Sequence, residues 1–342
     1  MIRLVIVALL AAWSSAAALA QGVAQTVAED VNQTETECDR LAGLWLLPRV
    51  EGMAQVYAIT DPAPAIVACE AAMATDPDTA FFAVLLARAL LVQDPQSARV
   101  IALLDGASEA LPALVSGQFG ALYENGMAGL AASERSARNF YRAACDDWPE
   151  RLARPGCAGL ALMKIEGRGG PADETGGFAM LDNLCRSGWA RACTTRALQQ
   201  ELRGTATEPQ IAQMLVQACE AGGLLGCSLL GFRYETELGV PYDMSRARAL
   251  YERACEGGEM HGCANLGEVY RSGYGVAPDV PRAVALFERA CDGNDPFACM
   301  ALGDILANGR GVPVDVARAI VVLDRACWLG DPIACDDADM LR

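Results

Sequence analysis

Residues 219–254 read CEAGGLLGCSLLGFRYETELGVPYDMSRARALYERA, residues 255–290 read CEGGEMHGCANLGEVYRSGYGVAPDVPRAVALFERA, and residues 291–326 read CDGNDPFACMALGDILANGRGVPVDVARAIVVLDRA. Cys327-WLGDPIA-Cys335 begins a fourth copy at the same 36-residue offset. The match is positional: Leu230, Leu266 and Leu302 recur, as do Gly231, Gly267 and Gly303, the Gly-Val pairs starting at 239, 275 and 311, and the acids Asp243, Asp279 and Asp315. A period in this range marks a repeat array, whose units bury their apolar faces by stacking on their neighbours.

Within one unit, the run after the second cysteine (Leu266, Gly267, Val269, Tyr270) has small and apolar residues at helical spacing and stops at Gly273 or Gly275, which predicts a helix A. Asp279 then stands as an N-cap with Pro281 in the first turn, and Ala283, Leu286, Phe287 and Ala290 follow at three- and four-residue spacing, which predicts a helix B. Residues eight apart in one helix lie about 12 Å apart, whereas a disulfide tolerates about 7 Å between Cα atoms. If Cys255 bonds Cys263, the chain must therefore reverse between them, and the paired glycines of the intervening segment suit a reversal. Each bond would clip the end of one helix B to the start of the next helix A.

The pattern Leu266-Gly267-x-x-Tyr270-x-x-Gly273-x-Gly275-Val276-x-x-Asp279-x-x-Arg282-Ala283-x-x-Leu286-Phe287-x-x-Ala290-Cys291 resembles the Sel1-like repeat, a 36-residue relative of the tetratricopeptide repeat. The cysteine pairs resemble those of the Helicobacter cysteine-rich proteins. The resemblance covers residues 145 to 342 well and 38 to 144 loosely. It implies an all-α, α/α solenoid of Sel1-like and tetratricopeptide-like helical hairpins with a right-handed superhelical course, clipped by disulfides. It also implies a function in protein–protein interaction, with β-lactam binding or weak β-lactamase activity as the alternative that some members of that group suggest.

The first twenty residues carry Arg3, an apolar run from Leu4 to Trp13 and small residues ending Ala18-Leu19-Ala20, which predicts a signal peptide cleaved before Gln21. No later segment is apolar for long enough to span a membrane. Export suits the fourteen cysteines, which an oxidising compartment would pair. Spacing nominates Cys145 with Cys157, Cys185 with Cys193, Cys219 with Cys227, Cys255 with Cys263, Cys291 with Cys299 and Cys327 with Cys335, leaving Cys38 for Cys69. Metal ligation is disfavoured by the absence of Cys-x-x-Cys and by a single histidine, so no metal and no cofactor is expected. After loss of Arg3 the net charge is −17, a field that repels nucleic acid and anionic lipid, so a partner that binds by charge should be basic. One lysine stands beside 26 arginines, a bias that fits a bacterial, periplasmic or secreted protein.

In chain order we expect a signal peptide at 1–20, a flexible mature N-terminus at 21–37, atypical tetratricopeptide-like capping hairpins at 38–115 and Sel1-like repeats at 116–342. The capping region should hold helices at 66–73, 79–92 and 96–104, broken at Asp76-Pro77 and Asp94-Pro95. The unit after Cys145 carries a four-residue insertion confined to its reversal, and the unit beginning at Cys185 is two residues shorter and lacks the Gly-Val loop. A clipped half-unit closes the array.

Candidate chemistry is sparse. His261 is the sole histidine and falls in the Cys255–Cys263 reversal, where an exposed loop residue is expected. Lys164 is the sole lysine and has Ala161, not serine, three residues before it, so the serine β-lactamase arrangement is missing. Asp146-Asp147 and Asp336-Asp337 are sequence neighbours that do not face each other on a helix, and Gly167 to Gly170 fall where every unit has its A-to-B loop. No catalytic residue is expected. Binding is expected on the concave helix A face, at positions that vary between units: Phe232, Arg233, Glu235, Glu268, Arg271, Asp304 and Asn308. The ligand should be a protein or peptide, and the chain is expected to be monomeric.

Overall fold

The computed structural model describes residues 36–42, 59, 61–75, 80–146 and 151–342. The expected signal peptide, residues 21–35 and most of the segment between Cys38 and Cys69 lie outside the described residues. Among these, seventeen α-helices follow one another and no strand occurs. They are α1 (Glu37–Ala42), α2 (Pro62–Thr75), α3 (Ala80–Gln93), α4 (Arg99–Ala107), α5 (Pro112–Asn125), α6 (Glu134–Asp146), α7 (Arg154–Glu166), α8 (Glu174–Arg186) and α9 (Ala190–Leu202). The remainder are α10 (Glu208–Glu220), α11 (Leu224–Thr236), α12 (Met244–Glu256), α13 (Met260–Ser272), α14 (Val280–Asp292), α15 (Pro296–Asn308), α16 (Val316–Trp328) and α17 (Pro332–Leu341). From α5 onward, odd-numbered helices are A and even-numbered helices are B.

Capping sets these boundaries. The B-helix acids Asp173, Asp243, Asp279 and Asp315 each accept from the backbone N–H three residues on, at 2.9–3.0 Å. In the shorter unit Thr207 takes that place, its N–H donating to Gln210 Oε1 at 2.8 Å. Helix A starts three residues before its cysteine, not after it, because Glu259, Asp295 and Asp331 cap the N-terminal amides there. Helix B likewise runs through its own cysteine, so the reversal shrinks to about three residues. Among the described reversals its third residue after the cysteine is left-handed, as in Gly258 at φ +92° and Asn294 at φ +67°, which glycine adopts freely and asparagine tolerates. The A-to-B loops use the other demanding glycines: a Cβ on Gly239 (φ +73°) would sit 2.2 Å from the Glu208 carbonyl oxygen, so the loop rests on the preceding unit's helix B.

Seven disulfides close, with Cα–Cα distances of 4.4–4.8 Å. Six join a helix B to the next helix A; Cys38–Cys69 instead joins α1 to α2. The capping-region helices differ from expectation at their ends: α2 starts at Pro62, where Asp61 accepts from Ala63 N–H at 3.1 Å, and α4 starts at Arg99.

The core is a close-packed seam between A and B. Gly231, Gly267 and Gly303 face the buried Tyr251, Phe287 and Leu323, and a Cβ on any of them would meet that side chain within 2.5–2.8 Å. Leucine on B is met in two ways, Leu323 by Gly303, and Leu181 and Leu215 by Ala161 and Ala197 of the same buried clusters. Successive A helices pack directly on each other (α5 on α7, α9 on α11, α11 on α13, α13 on α15), and successive B helices make no comparable contact. B helices are tied instead by arginines: Arg253 donates to the Cys219 carbonyl and Arg325 to the Asp292 carbonyl, both at 2.9 Å. The A row is thus the more closely spaced side of the array.

Candidate partner-binding groove on the A-helix row

Counting from the second cysteine of each unit places the A-helix side chains. The positions two before, two after and five after it supply most of the groove lining, although Phe297 also packs edge-on against Phe287 of α14 at 6.4 Å between centroids, and Ala301 is buried. These positions hold Leu225, Leu229 and Phe232 on α11, His261, Asn265 and Glu268 on α13, and Phe297, Ala301 and Asp304 on α15. On α9 the last of them holds Leu198. Across these four helices a groove of about 360 Å³ opens, with Leu198, Leu225, Leu229, Phe232, Ala264 and Phe297 as its apolar lining and Ser228, His261, Asn265 and Asp295 as its polar lining. Leu198, Phe232 and Phe297 stay 40%, 47% and 41% exposed, although they sit on the inner side of a packed array.

His261 sits in the first turn of α13, not in a free loop. Its Nδ1 lies 2.6 Å from Asp295 Oδ2, and its side chain is 64% exposed. The hydrogen bond to Asp295 is the main cause that holds the imidazole above its ordinary value. Asp295 is buried and also caps α15, accepting from Ala298 N–H at 2.8 Å. Glu259 is buried as the cap of α13, and burial pushes its carboxyl up. The described residues hold no metal-ligating group of three.

The expected groove residues divide. Phe232 lines the groove. Glu235 lies one turn on and accepts from the Tyr251 hydroxyl at 2.6 Å; burial, and then this bond, pushes the tyrosine above its ordinary range and keeps it a donor. Glu268, Arg271, Asp304 and Asn308 form a chain further along the row: Arg271 donates to Glu268 at 2.7 and 3.0 Å, and Asn308 donates to Asp304 Oδ1 at 2.8 Å. Arg233 is a correction. It is 3% exposed, its guanidinium clamped between Glu201 and Glu208, so it ties α11 to the preceding hairpin and offers nothing to a ligand. The signal was available, since Val269 and Ile305 occupy the same register and are buried. Leu198, Leu225, Leu229 and Phe297 do not stand out in the sequence because apolar residues at helical spacing read as core until the facing helix is known, and His261 reads as a loop residue until α13 is seen to begin before it.

The other singled-out residues are structural. Lys164 Nζ lies 2.8 Å from Asp173 Oδ2, the cap of α8. Gly169 presses on the Glu134 carbonyl in the α7–α8 loop, and Asp147 lies outside the described residues.

The Sel1 repeat family model matches residues 118–147, 225–259, 261–295 and 296–330. The chain carries Sel1 repeats. Among solved structures, this Sel1-repeat array is similar to a Sel1 repeat protein from Oxalobacter formigenes, at 22% identity and a TM-score of 0.58, over 70% of this chain and 96% of that one. It is also similar to a protective antigen of uropathogenic Escherichia coli strains displaying an SLR fold, at 18% identity and a TM-score of 0.50, over 80% of this chain. The match spans 58% of that antigen's length. Helicobacter pylori cysteine-rich protein B matches at 29% identity over 35% of this chain and 92% of its own, with a TM-score of 0.31. No curated protein matches the sequence. The likenesses establish an all-helical Sel1-type solenoid, a scaffold class suited to protein–protein interaction. Seven disulfides fit an oxidising, extracytoplasmic location, and no helix among the described residues is long and apolar enough to cross a membrane.

Proposed function

We propose that this Sel1-repeat protein is an exported scaffold, acting in the bacterial periplasm or outside the cell after signal cleavage near Ala20, and that it holds a partner protein on its A-helix row. The observation that carries this reading is the groove, where Leu198, Phe232 and Phe297 stay open to solvent side by side on three different helices. Uncovered apolar side chains on the closely spaced side of a solenoid suit a protein or peptide ligand. Phe232 is the central contact, with Glu235, Glu268, Arg271, Asp304 and Asn308 as polar contacts along the row.

A photo-crosslinking residue at position 232, compared with one at Val321 on the outer side of α16, tests this in the oxidised protein in its native compartment. Capture of one specific protein from 232 and not from 321 supports the reading. Equal capture from both sites, or none from 232, removes it. A fluorescent penicillin applied to the same sample tests the β-lactam alternative: label or turnover without a captured protein makes that alternative the better account.

A further inference from the structure

The groove does not end on neutral ground. One helical turn beyond Leu198 and Phe232, on the same helix faces, stand Glu201 and Glu235. Both lie in the last turn of their helices, where the partial negative charge of the helix terminus adds to theirs instead of offsetting it. Glu201 and Glu208 share the one buried guanidinium of Arg233, Glu235 is met by the neutral Tyr251 hydroxyl, and nearby Arg203 is engaged with Glu174 at 3.4 Å. Arg271 holds the register of Glu201 and Glu235 on α13, where Glu268 and Asp304 meet it, so carboxylates outnumber cations along this rim. Oε2 of Glu201 and Oε1 of Glu235 accept no hydrogen bond from another described residue.

From this juxtaposition we infer that the occupant of the groove is a cationic amphipathic segment. It seats an apolar side chain between Leu198, Phe232 and Phe297 and sets a lysine or arginine against Glu201 and Glu235. The inference rests on the reading of the A-helix row as the partner surface and adds the chemistry of the partner. Apolar anchoring supplies affinity, and the charge pair, placed at a rim, supplies selectivity and speed of encounter. A carboxylate-bearing segment of the same shape would meet like charge at that rim, in a chain already at −16.

The test uses the oxidised protein and two fluorescein-labelled peptides that share every leucine and differ only in carrying lysine or glutamate between them, read by fluorescence anisotropy. The lysine peptide should bind and lose affinity as salt rises, with the glutamate peptide weaker by about tenfold or more. Glu235→Gln, which keeps an acceptor for Tyr251, should weaken the lysine peptide roughly three- to fivefold, and Glu201→Gln similarly. Phe232→Ser should remove binding. Equal affinity for the two peptides overturns the inference, as does unchanged affinity in both glutamine variants. Glu201→Gln could loosen the Arg233 clamp, so the wild-type comparison of the two peptides decides the matter by itself. If neither peptide binds while position 232 still crosslinks a protein, this inference fails and the scaffold reading stands.

Discussion

Gly267 lies against the ring of Phe287, which is fully buried, and a Cβ built on it would stand 2.8 Å from Cε1. Carbon atoms pack at about 3.5–4.0 Å, so Gly267→Ala forces the two helices or the ring apart by close to 1 Å. Overpacking of this kind costs roughly 1–3 kcal/mol, and about 1 kcal/mol returns because alanine favours the helix more than glycine does. The single variant should therefore be destabilised by about 1 kcal/mol. Phe287→Leu opens a cavity opposite the glycine and should cost about 1–2 kcal/mol. Together they recreate the pair this chain already uses at Ala197 with Leu215, whereas Phe287→Leu alone recreates Gly303 with Leu323. We expect the double variant to be near wild type, with a coupling energy of about 2–3 kcal/mol. The assay is urea unfolding of the oxidised chain by far-UV circular dichroism, comparing midpoints at constant slope. Additivity of the two variants within about 0.5 kcal/mol would refute the steric coupling of Gly267 with Phe287.

Arg233→Ile, which installs the residue found at the same register in 305, is expected to stay within about 1 kcal/mol of wild type, whereas Arg233→Ala should cost about 1–3 kcal/mol by thermal or urea unfolding. His261 gives a single imidazole resonance for NMR titration. Its pKa should lie above about 6.5 and fall in Asp295→Asn, which retains the cap. Because the folded pKa is the higher one, the stability this pair adds is present in full below the unfolded value and is lost as pH rises through the folded value. Half exposure keeps it small. Removing one clip by the paired change of Cys255 and Cys263 to serine should cost about 2–3 kcal/mol in the chain-entropy account of a loop this short, read as a lower unfolding midpoint. Thiol titration of the native described array should find none free, and a titratable pair in the untreated protein would contradict the pairing.

The period of 36, the alternation of two helices, the Asp caps and the cysteine pairs were legible because each is set within one unit by local rules: helical spacing, capping and the reach of a disulfide. Helix ends were read less well, since Glu259 and Asp295 cap helix A from inside what looked like a reversal. The groove was legible only in part. Of the residues expected there, Phe232 lines the groove and Arg233 is a buried strut.

The sequence by itself determined that this chain is a disulfide-clipped array of Sel1-type helical hairpins, because a repeated local pattern can be satisfied only by stacking. Only the tertiary structure decided which charged and apolar side chains are available to a partner. One register of helix A holds a carboxylate-clamped arginine in one unit, Arg233, and a buried aliphatic residue in the next two, Val269 and Ile305. An apolar residue is core or open surface according to whether another helix covers it, and both depend on residues more than thirty positions away along the chain.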